Sequence, residues 1–229
     1  MQYDQDGPVL VIGDLHEPFT HKDYLDFCVQ TWRLFNCSEV VFIGDIVDNH
    51  AFSFHDHDPE GLSPSSELAA AKRSLAAWTK AFPKAKVCIG NHDGRIHARA
   101  KKNGLPTSLL KPLMQIFDTP GWTYALKHVI DGVLYMHGKG YSGMNGHRRA
   151  AEINRQSTVI GHIHSHAGIA YLAAPIDLIW GMNVGCGIDV NAYAMAYAID
   201  FDRKPMLGCG VVYGKRRAYF IPMDLGDKR

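Results

Sequence analysis

The chain is poor in several features that would fix its chemistry at once. None of its five cysteines (Cys28, Cys37, Cys88, Cys186 and Cys209) stands in a C-x-x-C pair, and their number is odd. That pattern argues against a disulfide framework or a thiolate zinc site and fits a reducing compartment. No apolar run approaches the ~18 residues of a membrane span. The opening stretch MQYDQDGPVLVIGD lacks the basic and long apolar regions of a secretory signal. A cytoplasmic protein without a membrane partner is therefore the expectation. The formal charge is only +1, so nothing in the charge demands a nucleic acid or an anionic surface as partner, although a local basic patch stays open. There is no internal repeat, no low-complexity tract, no phosphate-binding Walker loop and no Ser or Cys triad signature.

Histidine is abundant instead, with 13 residues in a chain of 229. The 46% hydrophobic content describes an ordinary globular protein. This length suits one sizeable α/β domain, expected here to span residues 1–229 with no separate cap domain. PVLVIGD (Pro8–Asp14), EVVFIGD (Glu39–Asp45) and AKVCIGNHD (Ala85–Asp93) read as buried strands that end in Gly and polar residues. Helical spacing over His21–Asn36 and Ser65–Phe82 separates them, which implies parallel βαβ units. Beyond about residue 120 the helix signal thins. GVLYMHG and STVIGH read as further strands, separated by a loop or short helix over Gly138–Asn154. GIAYLAA, DLIWGMNVG, MAYAIDF, CGVVYG and RAYFIP suggest a second, mostly antiparallel sheet.

Five strand ends carry polar clusters: Asp14 and His16, then Asp45 and Asp48, then Asn91, His92 and Asp93, then His137, then His162 and His164. In a parallel arrangement all five converge on one sheet edge. Carboxylate, imidazole and amide oxygen form a ligand set for Mn, Fe, Zn or Ni rather than Ca. In D-x-H and H-x-H the two side chains point the same way if the strand continues. Seven candidate ligands are too many for one zinc-like ion, which takes about four. They divide naturally between two ions that share a bridging carboxylate. Singly, Asp14, Asp45 and the GNHD cluster read as turn or cap formers, and His137 as a buried strand histidine.

In order, these blocks are D-x-H, G-D-x-x-D, G-N-H-D, H-G and G-H-x-H, running from Asp14 to His164 across about two-thirds of the chain. The series resembles the calcineurin-like metallophosphoesterases. The resemblance implies a four-layered α/β/β/α sandwich of two packed mixed sheets flanked by helices. It implies that Asp14, His16 and His164 hold one metal, Asn91, His137 and His162 a second, and that Asp45 bridges both. His92 is then the general acid, oriented by Asp48. Two divalent ions, Mn first and Fe, Zn or Ni as alternatives, outweigh both aspartates and a bridging hydroxide by about one positive charge. Such a pair can generate hydroxide at neutral pH and clamp an in-line displacement at phosphorus. The expected activity is phosphoester hydrolysis, first of a phosphodiester in a nucleotide or nucleic acid, with phosphomonoesterase as the alternative. Serine/threonine phosphatases of the family carry G-D-x-V-D-R-G, whereas Asn49 and His50 follow Asp48 here, which counts against that activity. Some relatives lose catalytic residues and act as interaction scaffolds; the presence of His92 argues for an enzyme.

Other residues fall outside the blocks. His166 reads as a loop residue, and His55 and His57 as a solvated loop. His50 and Arg95 are balanced between substrate contact and surface filler. Arg99, Lys101 and Lys102 continue the basic run after Arg95. Lys139, Arg148 and Arg149 follow His137 on a Gly-rich stretch that could close over a substrate.

Overall fold

The computed structural model describes residues 7–53, 61–192 and 204–225. β1 (Val9–Ile12), β2 (Glu39–Phe42), β3 (Ala85–Cys88) and β4 (Trp122–Ala125) run parallel in one sheet. β10 (Gly208–Tyr213) and β11 (Arg217–Pro222) extend it antiparallel on the far side of β1, giving the order β11-β10-β1-β2-β3-β4. The second sheet holds β5 (Lys127–Ile130), β6 (Val133–Met136), β7 (Thr158–Ile160), β8 (Gly168–Ala173) and β9 (Leu178–Asn183), in the order β5-β6-β7-β9-β8.

The sequence Val-Leu-Val-Ile in β1 is apolar throughout because both of its faces are covered. Leu10 and Ile12 point to α1 (Tyr24–Leu34) and α2 (Pro64–Ala81) in one core cluster, whereas Val9 and Val11 point to the second sheet in another. That inter-sheet core also takes Val41 and Ile43 from the first sheet and Tyr135, Val159, Trp180 and Met182 from the second. Each fully buried large side chain contributes roughly 1.5–3 kcal/mol. α4 (Gly146–Asn154) covers the outer face of the second sheet through Ala150, which packs with Leu134, Met136 and Ile160. The four layers are thus helices, sheet, sheet and helix. α2 begins where its sequence says it should: the Ser63 hydroxyl accepts from Ser66 N–H and Pro64 occupies the first turn.

The sequence reading is corrected at four points. CGVVYG and RAYFIP join the first sheet, and the second sheet is mixed rather than mostly antiparallel. β4 and β5 had no signal strong enough to be read, whereas the Gly138–Asn154 stretch ends in a short helix within the range expected for it. The polar strand ends also come from both sheets, not from one edge. The cause is common to these errors: sheet membership is set by long-range pairing, as of Leu10 with Val211, which local periodicity does not encode. The MAYAIDF segment lies outside the described residues. Among the described residues, no helix is long and apolar enough to cross a membrane.

One side chain ties the sheet to the polar strand ends. The buried Tyr24 hydroxyl accepts from Gly13 N–H at 3.1 Å and donates to the Gly208 carbonyl at 2.6 Å. Tyr24→Phe preserves the packing but strands both backbone groups. It should lower stability by about 2 kcal/mol, read as a lower urea midpoint at unchanged slope.

Candidate metal centre

The ends of β1, β2 and β3 from the first sheet meet those of β6 and β7 from the second. The chain does not continue as strand there. His16, Asp45 and His162 all sit in the left-handed region, at φ 55°, 49° and 68°. Left-handed backbone is costly for non-glycine residues, by roughly 1–2 kcal/mol each, so the surroundings must hold it. A sharp turn at each strand end, and not the continuing pleat expected for D-x-H, therefore aims these side chains.

The holding groups can be named. Leu15 and His16 donate their N–H groups to the Asp45 carbonyl, at 3.1 and 2.9 Å, joining the first loop to the second. The fully buried Asp93 carboxylate accepts from the N–H groups of Asp45, Ile46 and Gly90 at 2.9, 3.0 and 2.8 Å. No role was assigned to Asp93 from sequence, although its place in GNHD was the available signal. Two motif glycines are explained by close approach. A Cβ on Gly90 would lie 2.1 Å from Asp45 Oδ1, and one on Gly161 would lie 2.2 Å from Asp14 Oδ1.

Three groups of metal-capable atoms result: Asp14, His16 and His164; Asp45, His137 and His162; and His16, Asp45 and His92. His164 Nε2 lies 2.9 Å from Asp14 Oδ2, and His137 Nε2 lies 3.1 Å from Asp45 Oδ2. Asn91 Oδ1 joins the second group, 3.0 Å from His137 Nε2. Asp45 Oδ2 is central, 3.9 Å from both His16 Nε2 and His92 Nε2. Asp48 Oδ1 accepts from His16 Nδ1 at 2.6 Å and lies 3.0 Å from His92 Nδ1, whose main bond goes to the Asp48 carbonyl at 2.8 Å. Both imidazoles are thereby held in the tautomer that leaves Nε2 facing the centre.

Electrostatics support a cation in this cavity. Burial alone would raise the pKa of Asp14 and Asp45, yet His137 chiefly, with His164 at Asp14 and His92 at Asp45, holds both below the usual carboxylate range. Burial would lower His137, but Asp45 and Asp14 draw it up to about 10. His92 is likewise raised, Asp45 and Asp48 outweighing its burial. Burial and then the neighbouring Asp45 push Asp93 up to about 7, against the backbone donors that favour its anion. The pattern is one of buried carboxylates recruiting positive charge onto imidazoles. His16 Nε2 is buried with no hydrogen-bond partner, and burial with His92 nearby keeps that ring neutral. An unprotonated, orphaned Nε2 beside carboxylate oxygens is a donor set that fits a divalent metal.

The remaining candidates are dispersed. Arg95 is held against His92: one guanidinium nitrogen donates to the Asp48 and Asn49 carbonyls at 2.8 and 3.3 Å, and the other lies 3.1 Å from His92 Nε2. It opens α3 (Arg95–Lys102), from which Arg99 donates to the carbonyls of Phe52 and Ser53. Glu67 accepts from His50 and Ala51 N–H on the same loop. The basic run after GNHD thus splits, its two arginines clamping the loop after Asp48 while Lys101 and Lys102 are exposed. His50 Nδ1 lies 3.8 Å from Asp48 Oδ2. Lys139 is exposed, as is Arg149, and Arg148 pairs with Glu152 on the helix surface at 3.1 Å. His166 packs its ring on His147, with centroids 5.3 Å apart, rather than joining the cluster. His55 and His57 lie outside the described residues.

Comparison with known proteins agrees with this architecture. The family model for calcineurin-like phosphoesterases matches residues 7–190. Vacuolar protein sorting 29 from Cryptosporidium parvum superposes with a TM-score of 0.51 at 14% identity, over 99% of this chain and 95% of that one. The E. coli phosphoesterase YfcE gives 0.46 at 11% identity, over 93% and 99% of the two chains. The Pseudomonas putida nuclease MPE gives 0.40 at 12% identity, over 93% and 86%. A search of curated protein sequences finds no significant match. The fold is a phosphoesterase-type α/β sandwich with a candidate metal site at its strand ends. The chain belongs to the calcineurin-like phosphoesterase family.

Two outcomes follow from the buried groups around the centre. Asp93→Ala leaves several N–H groups unpaired and should cost about 3 kcal/mol in urea unfolding. His147 is buried with Nδ1 unpartnered, and burial followed by His166 lowers it to about 4. The folded state therefore resists a proton that the unfolded chain takes up near pH 6.5. Stability present above that pH is lost as pH falls towards 4. In His147→Gln the fall of Tm between pH 6.5 and 4 should be shallower than in the parent.

Proposed function

We propose that this protein is a dinuclear metal-dependent phosphodiesterase acting on a nucleotide or nucleic acid, built as a single domain without a cap. The observation that carries the reading is the central Asp45 Oδ2, which faces imidazoles from both clusters at 3.1–3.9 Å. Asp14, His16 and His164 would hold one ion and Asn91, His137 and His162 the other, with Asp45 available to both. Manganese is the first choice of metal. When bound, such a pair supplies a hydroxide nucleophile at neutral pH and neutralises charge on the phosphoryl oxygens.

The chain's own residues perform the rest. His92 presents Nε2 towards the centre because its Nδ1–H is committed to Asp48. From there Nε2 hands a proton to the departing oxygen. Arg95, anchored on two carbonyls, offers a guanidinium nitrogen beside Nε2 and so contacts the phosphoryl group. His50 and Lys139, with Arg148 once it leaves its pair with Glu152, are assigned to the non-transferred part of the substrate. The complete G-H-x-H, and Asn49 and His50 in place of the Arg-Gly of the protein phosphatases, favour a diester. Five buried free thiols suit the reducing cytoplasm.

Chelator-stripped protein should be inactive and regain turnover when Mn²⁺ is added, faster with bis-p-nitrophenyl phosphate than with p-nitrophenyl phosphate. His92→Ala should lose about 10²–10⁴ in kcat with metal content unchanged, whereas Asp45→Asn should lose metal itself. Arg95→Ala should raise KM, with partial recovery in Arg95→Lys. No metal-dependent turnover of either ester would end the enzymatic reading.

A further inference from the structure

β8 is the outermost strand of the second sheet, and its outer edge has no partner among the described residues. Its hydrogen-bond phase is fixed by two neighbours. Ala174 N–H donates to the Asp177 carbonyl at the hairpin, while Val184 and Trp180 of the β9 segment direct their N–H groups towards the β7 side, at Ile160 and at the Ser157 hydroxyl. With the register Leu172 to Ile179 and Ala170 to Gly181, these are the hydrogen-bonded pairs of the β8–β9 ladder. The N–H and C=O groups of Ile169, Tyr171 and Ala173 therefore point outwards.

This edge lacks the usual protection. From Gly168 to Ile176 there is no charged residue, and the only proline, Pro175, lies in the turn beyond the strand. By contrast the opposite sheet's edge strand β11 starts with Arg217 and ends with Pro222, and β5 starts with Lys127. Natural edges are normally blunted by charge, proline or a bulge. Beside the open ladder lie exposed apolar side chains: Tyr171 at 54%, Leu178 at 55% and Ile176 at 94% exposure.

We infer that β8 pairs antiparallel with β8 of a second copy of this chain, fusing two five-stranded sheets into one. A second copy satisfies the edge because the outward set is its own complement. On a two-fold axis at Tyr171, Ile169 faces Ala173 of the second copy, and each Tyr171 faces the other. No charged pair within the strands opposes this. Continued in the same register, the exposed Ile176 of the hairpin extends the contact to the His166 end of the second copy's strand.

Sedimentation of the full chain across concentration should show a reversible monomer–dimer equilibrium. Ala173→Pro removes one outward N–H without breaking the hairpin, where proline is tolerated on an edge. It should raise the dimer dissociation constant about tenfold or more, with the thermal midpoint unchanged at dilutions where both proteins are monomeric. Tyr171→Cys tests the register. Opposed residues of a hydrogen-bonded pair lie about 5.5 Å apart between Cα atoms, within the range of a disulfide. Mild oxidation should then give a covalent dimer, whereas Ala174→Cys, whose partner would be Gly168 of the second copy, should not. The native cysteines are all buried and give no background. A chain that stays monomeric at all concentrations, an Ala173→Pro variant that dimerises as well as the parent, or equal cross-linking of the two cysteine variants would overturn the inference.

Discussion

Burying the Asp45 carboxylate between imidazoles from two different sheets is the constraint on which the rest of the structure depends. A carboxylate with 1% exposure is expensive unless positive charge or donors surround it. His137 from the second sheet and His16 and His92 from the first meet that need only when the two sheets are packed at their observed spacing. The inter-sheet core of Val9, Val11, Val41, Tyr135 and Trp180 sets that spacing. Hydrophobic packing and site geometry are in this sense one requirement. The same buried anions then draw protons onto His92 and His137, the response of a cavity whose own groups leave it short of positive charge.

The support beneath Asp45 is mostly backbone. Turns in the left-handed region at His16, Asp45 and His162 would relax if they were not over-determined. Asp93 from below and the Asp45 carbonyl from the side provide that hold. Arg95, Arg99 and Glu67 do the same for the loop after Asp48, two cations meeting carbonyls and one carboxylate meeting amides. The donors of both arginines in this basic run are thus directed largely to the protein's own backbone, while Lys101 and Lys102 stay exposed. The same arrangement also places Arg95 beside His92, so that one residue serves both the loop and the proposed chemistry.

Legibility in the sequence followed the range of the interaction involved. The strands before Asp14, Asp45 and Asn91 were visible because near-complete burial of both faces demands mostly apolar residues, broken only by Glu39 and Lys86. α2 was visible because its cap, proline and length are local. β4 and β5 were not, since Trp122–Ala125 and Lys127–Ile130 are short, largely half-exposed and mix polar with apolar residues without a clear alternation. The role of Asp93 was hidden because a carboxylate that binds backbone N–H groups 46 to 48 residues away leaves no spacing signature.

Which residue types the centre would contain, and their order along the chain, were already written in the amino-acid sequence. Side-chain chemistry and local turns are written in neighbouring residues. Tertiary structure alone decided that the ends of two sheets, not one, supply the cluster, that β10 and β11 complete the first sheet, and that Arg95 rests on His92. Those outcomes depend on pairing between residues as distant as Leu10 and Val211. Their energies exist only once the chain has closed on itself, because burial and desolvation are properties of the packed molecule rather than of any segment.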